Sequence, residues 1–173
     1  MKNAAVIRRI DNLGRVVLPI HFRKKANLNE NDDVEITIDE YDQLIISKYE
    51  ALLGNVRLLS NIAISLYQVI KGTILIVDLD KIVSSYGNKS NLYQAELPIS
   101  KDLYNRIYRE PSVLPSFKIV EDVVEDNSTI TYPIYGRNGN VLGAIVYIYE
   151  KDLLENVSKI LSSYAILISE MLR

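Results

Sequence analysis

The residues best equipped for chemistry in this sequence are arginines. Arg8, Arg9, Arg15, Arg23 and Lys24 lie in or beside the stretch Val6 to Arg23, VIRRIDNLGRVVLPIHFR. A guanidinium presents a planar fork of N–H donors that matches phosphate oxygens and the major-groove edge of guanine. Several of them in one short segment suit nucleic acid better than any bond-making reaction. The charge is also local: residues 1–25 hold Lys2, Arg8, Arg9, Arg15, Arg23, Lys24 and Lys25 against Asp11, seven against one, or +6. Residues 26–50 hold eight acids, from Glu30 to Glu50, against Lys48, or −7, within a chain of net charge −2. Such segregation confines phosphate attraction to one face while the whole chain stays acidic.

Other chemistries fall away quickly. The absence of cysteine excludes disulfides, thiolate catalysis, iron–sulfur clusters and cysteine-based zinc sites. His21, the single histidine, cannot build a multi-histidine metal site and reads as a helix-surface residue. Asp78 and Asp80 are spaced like a carboxylate pair but stand in turn context, where they form turns. With no nucleophile–base constellation, the sequence does not read as an enzyme, and it calls for no metal and no cofactor, so no cofactor-binding residue is assigned. No apolar run reaches the roughly 18 residues of a membrane span, and no apolar signal core precedes Arg8, so a cytoplasmic protein is expected. At 173 residues, 48% hydrophobic and 24% charged, the chain suits one domain or two small ones.

The arginines need a scaffold. Val6, Ile7 and Ile10 form one β-prone run, Asn12-Leu13-Gly14 supplies a turn, and Val16-Val17-Leu18 forms a second run. Pro19 stops that run and opens a short helix at Ile20 to Ala26, with Asn27 as its C-terminal signal. After the polar turn Asn29 to Asp33, Val34, Ile36 and Ile38 alternate with polar residues as a half-buried strand. Glu40-Tyr41-Asp42 then closes a hairpin onto Gln43 to Lys48. Asp11 reads as a carboxylate that shapes the loop or orients an arginine. Fifty residues bury too little surface to be comfortable alone, and neither disulfide nor metal is available, so obligate dimerisation is expected.

Met1 to Tyr49 resembles the AbrB-type transition-state regulator domain. Arg8-Arg9-Ile10-Asp11, Leu13-Gly14-Arg15-Val16-Val17-Leu18-Pro19 and Arg23-Lys24 match its motif without a gap. The resemblance implies a swapped-hairpin β-barrel formed as an intertwined dimer. It further implies DNA contacts from Arg8, Arg15, Arg23 and Lys24, with Arg9 added as a DNA-binding candidate. The chain departs from the family at Ala4-Ala5, where Thr-Gly is usual, and at Lys24, where Arg is common. Lysine lacks the bidentate fork, so what carries over at Lys24 is phosphate contact.

From Ala51 the period becomes helical. Leu52, Val56, Leu59, Ala63, Leu66 and Ile70 recur at spacings of four and three until Gly72, and Leu153, Val157, Ile160, Tyr164, Leu167 and Met171 repeat the pattern near the end. Extra apolar positions widen both stripes, so each helix is expected to pack on its own domain and on a partner helix. Between them, Thr73 to Asp78, Lys81 to Tyr86, Phe117 to Val120, Ser128 to Tyr135 and Val141 to Tyr149 read as strands. Weak helical periodicity follows Pro98, and an Asn-Gly turn joins the last two strands. This order, with Tyr132-Pro133-Ile134 and Val141-Leu142-Gly143-Ala144-Ile145, resembles a GAF-type sensor domain. Seven tyrosines, at 86, 93, 104, 108, 132, 135 and 147, are candidates for a pocket, although core packing explains them more simply.

The reading is thus an α+β chain. Residues 1–50 form the swapped-hairpin DNA-binding domain, and residues 51–173 a GAF-like α/β regulatory and oligomerisation domain flanked by N- and C-terminal helices. The resemblance implies a DNA-binding transcription regulator of sporulation or stationary-phase genes. Its partners would be double-stranded DNA, a second copy through the N-terminal domain, and a homotetramer through helices 51–71 and 151–172. A small-molecule effector is left unidentified, and no membrane is expected. The competing readings are an antitoxin of a toxin–antitoxin pair and a small-molecule-binding protein with weak DNA binding.

Overall fold

The computed structural model describes residues 5–30, 32–149 and 156–172. Lys2, Ala4, Asn31, Leu153 and Leu154, each used above, lie outside the described residues. The chain divides into two compact units, Met1–Glu50 and Ala51–Arg173.

In the first unit, Asn12 to Gly14 turn as their sequence requires, and Gly14 takes φ +78°. The flanking runs are a correction to expectation: residues 5–10 and 15–19 join no strand ladder among the described residues. Helix α1 covers Ile20–Lys25 behind Pro19. Its end follows from Asn27, which adopts φ +54°. The Leu28 amide then donates to the Arg23 carbonyl at 2.8 Å and the Asn27 amide to that of Lys24 at 3.3 Å. This is a Schellman closure, with Leu28 buried as its hydrophobic contact. Strands β1 (Val34–Ile38) and β2 (Leu44–Lys48) pair antiparallel, with Ile36 opposite Ile46. Here a second expectation fails, since the apolar face of β1 is uncovered, Ile36 and Ile38 being 59% and 70% exposed. The alternation is correct, but among the described residues of this unit no second layer buries it.

The second unit is built on one antiparallel sheet in the order β4-β3-β8-β7. These strands are β3 (Thr73–Asp78), β4 (Ile82–Gly87), β7 (Ser128–Tyr135) and β8 (Val141–Tyr149). Strand β3 reads as a continuous apolar run because both of its faces are covered. Ile74 and Ile76 face one core with α2 (Val56–Ile70) and α4 (Val157–Met171). Leu75 and Val77 face a second core with α3 (Lys101–Ile107) and the short pair β5 (Phe117–Val120) and β6 (Val123–Glu125). Strand β6 carries no periodicity in three residues and was not anticipated.

The two long helices depart from expectation in detail. Leu53–Asn55 form a 3₁₀ turn before α2, and Val56 is exposed while Leu59, Ile62, Ala63, Leu66 and Ile70 are buried. In α4 the buried line is Val157, Leu161, Ala165 and Ile168, with Leu167 and Met171 exposed. The apolar stripe is wide enough to fit either line, and contact with the sheet selects this one.

Helix α3 is fixed at its start by Ser100. The Ser100 hydroxyl accepts from the Leu103 amide at 3.0 Å and donates to the Lys118 carbonyl of β5 at 2.5 Å. Asp78 closes the β3–β4 turn by accepting from the Asp80 and Lys81 amides at 2.7 and 2.6 Å. Asp78 and Asp80 therefore belong to the turn, as their position between two strands suggests, and not to a carboxylate pair at work.

Candidate nucleic-acid interface

The basic segment is organised by Asp11. One carboxylate oxygen accepts from the backbone amides of Leu13 and Arg15 at 2.9 and 2.8 Å, and the other accepts from the Arg15 Nε at 2.7 Å. The turn is closed by the Asp11 amide donating to the Arg15 carbonyl at 3.0 Å and the Gly14 amide donating to the Asp11 carbonyl at 3.0 Å. These N–H groups, the Arg15 amide foremost and then its guanidinium, hold the Asp11 carboxyl below the usual carboxylate range. Both expected roles of Asp11, shaping the loop and orienting an arginine, are filled by the same side chain. Because Asp11 takes only Nε, the Nη groups of Arg15 stay available to an external acceptor. The Arg15 side chain is 72% exposed.

The other candidates lie nearby in the chain and differ in surroundings. Arg8 donates from Nη1 to the Ile7 carbonyl at 3.3 Å and is exposed. Arg9 and Lys24 are exposed, and Arg23 is half-buried. Arg23, Lys24 and Lys25 form the last turn of α1, where the helix dipole favours positive charge. His21 is exposed, with its ring centroid 4.5 Å from that of Phe22.

In the second unit, the seven tyrosines differ in their surroundings. Tyr93 is buried and donates to Glu125 Oε2 at 2.7 Å, and Tyr147 donates to the Ile70 carbonyl at 2.9 Å. Tyr86, Tyr104, Tyr108 and Tyr135 are exposed. A cleft of about 400 Å³ beside α3 is lined instead by Asp102, Asn105, Arg106, Arg109 and the loop before β5. The sequence reading passed over Arg106. Its signal was an arginine between Leu103 and Ile107, the two core positions of a short helix.

A unit with a basic first half and a β-hairpin, followed by an antiparallel sheet between helices, defines a two-part protein, an AbrB/MazE-like domain joined to a GAF-like domain. The family described as "Antidote-toxin recognition MazE, bacterial antitoxin" matches residues 7–52. Stage V sporulation protein T of Bacillus subtilis (strain 168) is 31% identical over 156 residues, covering 88% of this chain and 86% of that protein. The chain belongs to that family. The transition state regulatory protein AbrB of the same organism is 40% identical over 50 residues, 29% of this chain and 51% of AbrB. Two solved structures share the fold of the second unit. The second GAF domain of DevS from Mycobacterium smegmatis has a TM-score of 0.50 at 17% identity, covering 69% of this chain and 92% of that one. A type II free methionine-R-sulfoxide reductase from Thermoplasma acidophilum has a TM-score of 0.51 at 16% identity, covering 70% of this chain and 94% of that one. At such identities the likeness concerns fold alone.

Proposed function

We propose that this chain is a DNA-binding regulator of transcription, acting in sporulation or the transition to stationary phase, and that residues 1–50 bind the DNA. The observation that carries the reading is the Asp11 turn, which fixes Arg15 by Nε and offers its remaining N–H groups outward. Two copies of the unit, intertwined through the apolar side chains that one copy leaves uncovered, double every basic side chain. Arg8, Arg9, Arg15, Arg23 and Lys24 then face the duplex, the arginines able to reach phosphates or guanine edges and Lys24 a phosphate. Two copies of Arg8, Arg15, Arg23 and Lys24 neutralising about eight phosphates give a salt slope of about −7.

Residues 51–173 assemble and regulate this unit in the cytoplasm. Exposed Val56 and Val69 on α2 and Ile166, Leu167 and Met171 on α4 support a tetramer through these helices. Linked dimers gain affinity for tandem sites through effective concentration. The decisive measurement is DNA affinity of the Arg15→Ala/Arg23→Ala variant across a salt series. Removing four contacts per dimer shallows the slope to about −4 and weakens binding more than about 100-fold. Unchanged affinity and slope would sink the proposal.

The match of residues 7–52 to an antitoxin family supports a second reading, in which this unit neutralises a toxin. A compact folded unit follows residues 7–52 where a toxin-wrapping tail would stand, which weighs against it. Stoichiometric co-purification of a small toxin from the native host would favour it over the regulator.

A further inference from the structure

Among the described residues, Arg106 is a buried cation without a counter-ion. It is 6% exposed. Its Nη2 donates to the Glu110 carbonyl at 2.6 Å, the Ser112 hydroxyl at 2.8 Å and the Ser112 carbonyl at 3.3 Å, all neutral oxygens. Its buried Nε has no hydrogen-bond partner among the described residues. Burying a guanidinium this way is costly unless an anion compensates it, because neutral acceptors return only part of the lost hydration. Arg109 lies one turn along on the same side of the chain and is exposed. Burial, and then repulsion from Arg109, pulls the Arg106 guanidinium below its ordinary range. Both arginines line the cleft of about 400 Å³ between α3 and the loop that precedes β5. That volume is metabolite-sized. Neither arginine is ion-paired among the described residues, and Asp102, on the same lining, contacts neither as an ion pair.

We infer that this cleft is a binding site for a small metabolite carrying an oxyanion, phosphate or carboxylate, which sits against the Arg106 and Arg109 side chains that line it. Asp102, four residues before Arg106, and Asn105, four before Arg109, share the lining, face the remainder of the ligand and favour a hydroxyl or ammonium group there. The anion supplies the counter-charge that the buried Arg106 guanidinium lacks and relieves the repulsion between the two cations. Through Nη2, Arg106 also holds the Glu110–Ser112 loop, so occupancy of the cleft is transmitted to the segment that enters β5.

The site is tested on the full chain by following the Arg106 Nε–Hε signal in proton–nitrogen correlation spectra. Inorganic phosphate and, separately, acetate are added at ionic strength held constant with chloride. A saturable displacement in the millimolar range is expected, and Arg109→Gln should weaken it about tenfold, the worth of one charge-assisted hydrogen bond. Response to phosphate alone assigns a phosphorylated ligand, to acetate alone a carboxylate, and to both the shared oxyanion site. Absence of a saturable shift with either anion, or a shift unaffected by Arg109→Gln, overturns the inference. Since the readout is Arg106 itself, phosphate held by the arginines of the first unit leaves the result intact, and failure here leaves the DNA reading standing.

Discussion

The two units of this chain solve the same problem with different resources. Both contain alternating or helical apolar patterns of ordinary strength. In the second unit these patterns meet, so that Ile74, Leu75, Ile76 and Val77 are all fully buried between helices on one face and α3 with β5–β6 on the other. In the first unit Leu28 is the one buried residue among those described, while Val17 stands 76% exposed. The difference lies in topology rather than composition. A hairpin, a six-residue helix and a turn provide one layer, and burial needs two. Exposed apolar surface on this scale marks an interaction site. On the dimeric reading proposed above, the first unit is half of a core whose other half lies on a second copy.

That comparison is broken most severely at Val17. If the first unit were complete in one chain, Val17→Asp would be a surface change worth less than about 0.5 kcal/mol. If Val17 enters a shared core, it loses the dimer of the first unit and specific DNA binding with it, and leaves the unfolding of the second unit in place. Sedimentation and DNA titration decide between the two outcomes, and unchanged mass and affinity would show the unit to be self-sufficient. The second unit has the reverse sensitivity. Leu66 is fully buried against its own sheet, so Leu66→Ala should cost about 2–5 kcal/mol of unfolding free energy in a denaturant titration. A loss below about 1 kcal/mol would mean that this core is looser than its burial implies.

The same contrast governs what was legible in the sequence. Strands of the second unit were readable because continuous runs such as Thr73 to Asp78 are long and bounded by turn residues, and a second strand of the same chain pairs each one. The runs at 6–10 and 16–18 have equal β propensity, yet they join no ladder among the described residues, because pairing depends on a neighbouring strand that propensity does not encode. The Arg8-Arg9 and Gly14-Arg15 motif was visible at once, since its residue types announce their chemistry. Arg106 was not, because its meaning lies in burial and in which carbonyls happen to reach it. Likewise Glu125 shows no motif; its partners Lys89 and Tyr93 come from a loop more than thirty residues away.

Glu125 and Asp11 sharpen the comparison through pH. Glu125 is 1% exposed. Burial pushes its carboxyl up, but bonds from Lys89 Nζ at 2.5 Å, the Tyr93 hydroxyl at 2.7 Å and the Asn127 amide at 2.9 Å outweigh burial and leave it lowered. A carboxylate lowered in the folded state contributes stability in full above its unfolded value of about 4.3, and that contribution is lost as pH falls through the folded value. Asp78, raised by burial, works in the opposite sense and offsets part of the acid loss. Glu125→Gln should therefore lower stability near neutral pH by about 1–3 kcal/mol, and the gap from wild type should close as the medium becomes more acid than about pH 4. Urea unfolding at both ends of that range is the measurement; a gap independent of pH would remove Glu125 as its source. Asp11 is lowered in the same direction but lies at the surface, so added salt should erode its contact with Arg15 while sparing Glu125.

The smallest expected effect separates geometry from charge within the first unit itself. Asp11–Arg15 and Asp39–Gln43 are the same turn. In each, the aspartate side chain accepts from the second and fourth following amides, and its own amide donates to the carbonyl of the fourth, at 3.0 and 3.1 Å. The fourth residue of the turn is Gly14 at φ +78° in one and Asp42 at φ +58° in the other. Asp42 shows that this position accepts a short polar side chain, and a Cβ at Gly14 would meet nothing within 4 Å. Gly14→Asn should then cost less than about 1 kcal/mol, since asparagine visits this conformation readily. Gly14→Asp should cost a similar amount in stability, yet place a new carboxylate beside Arg15 in both copies of the dimer and weaken DNA binding about tenfold, more at low salt than at high. Equal DNA affinity for the two variants would mean that the tip of the turn lies away from the phosphates, and that Arg15 reaches the duplex from its flank.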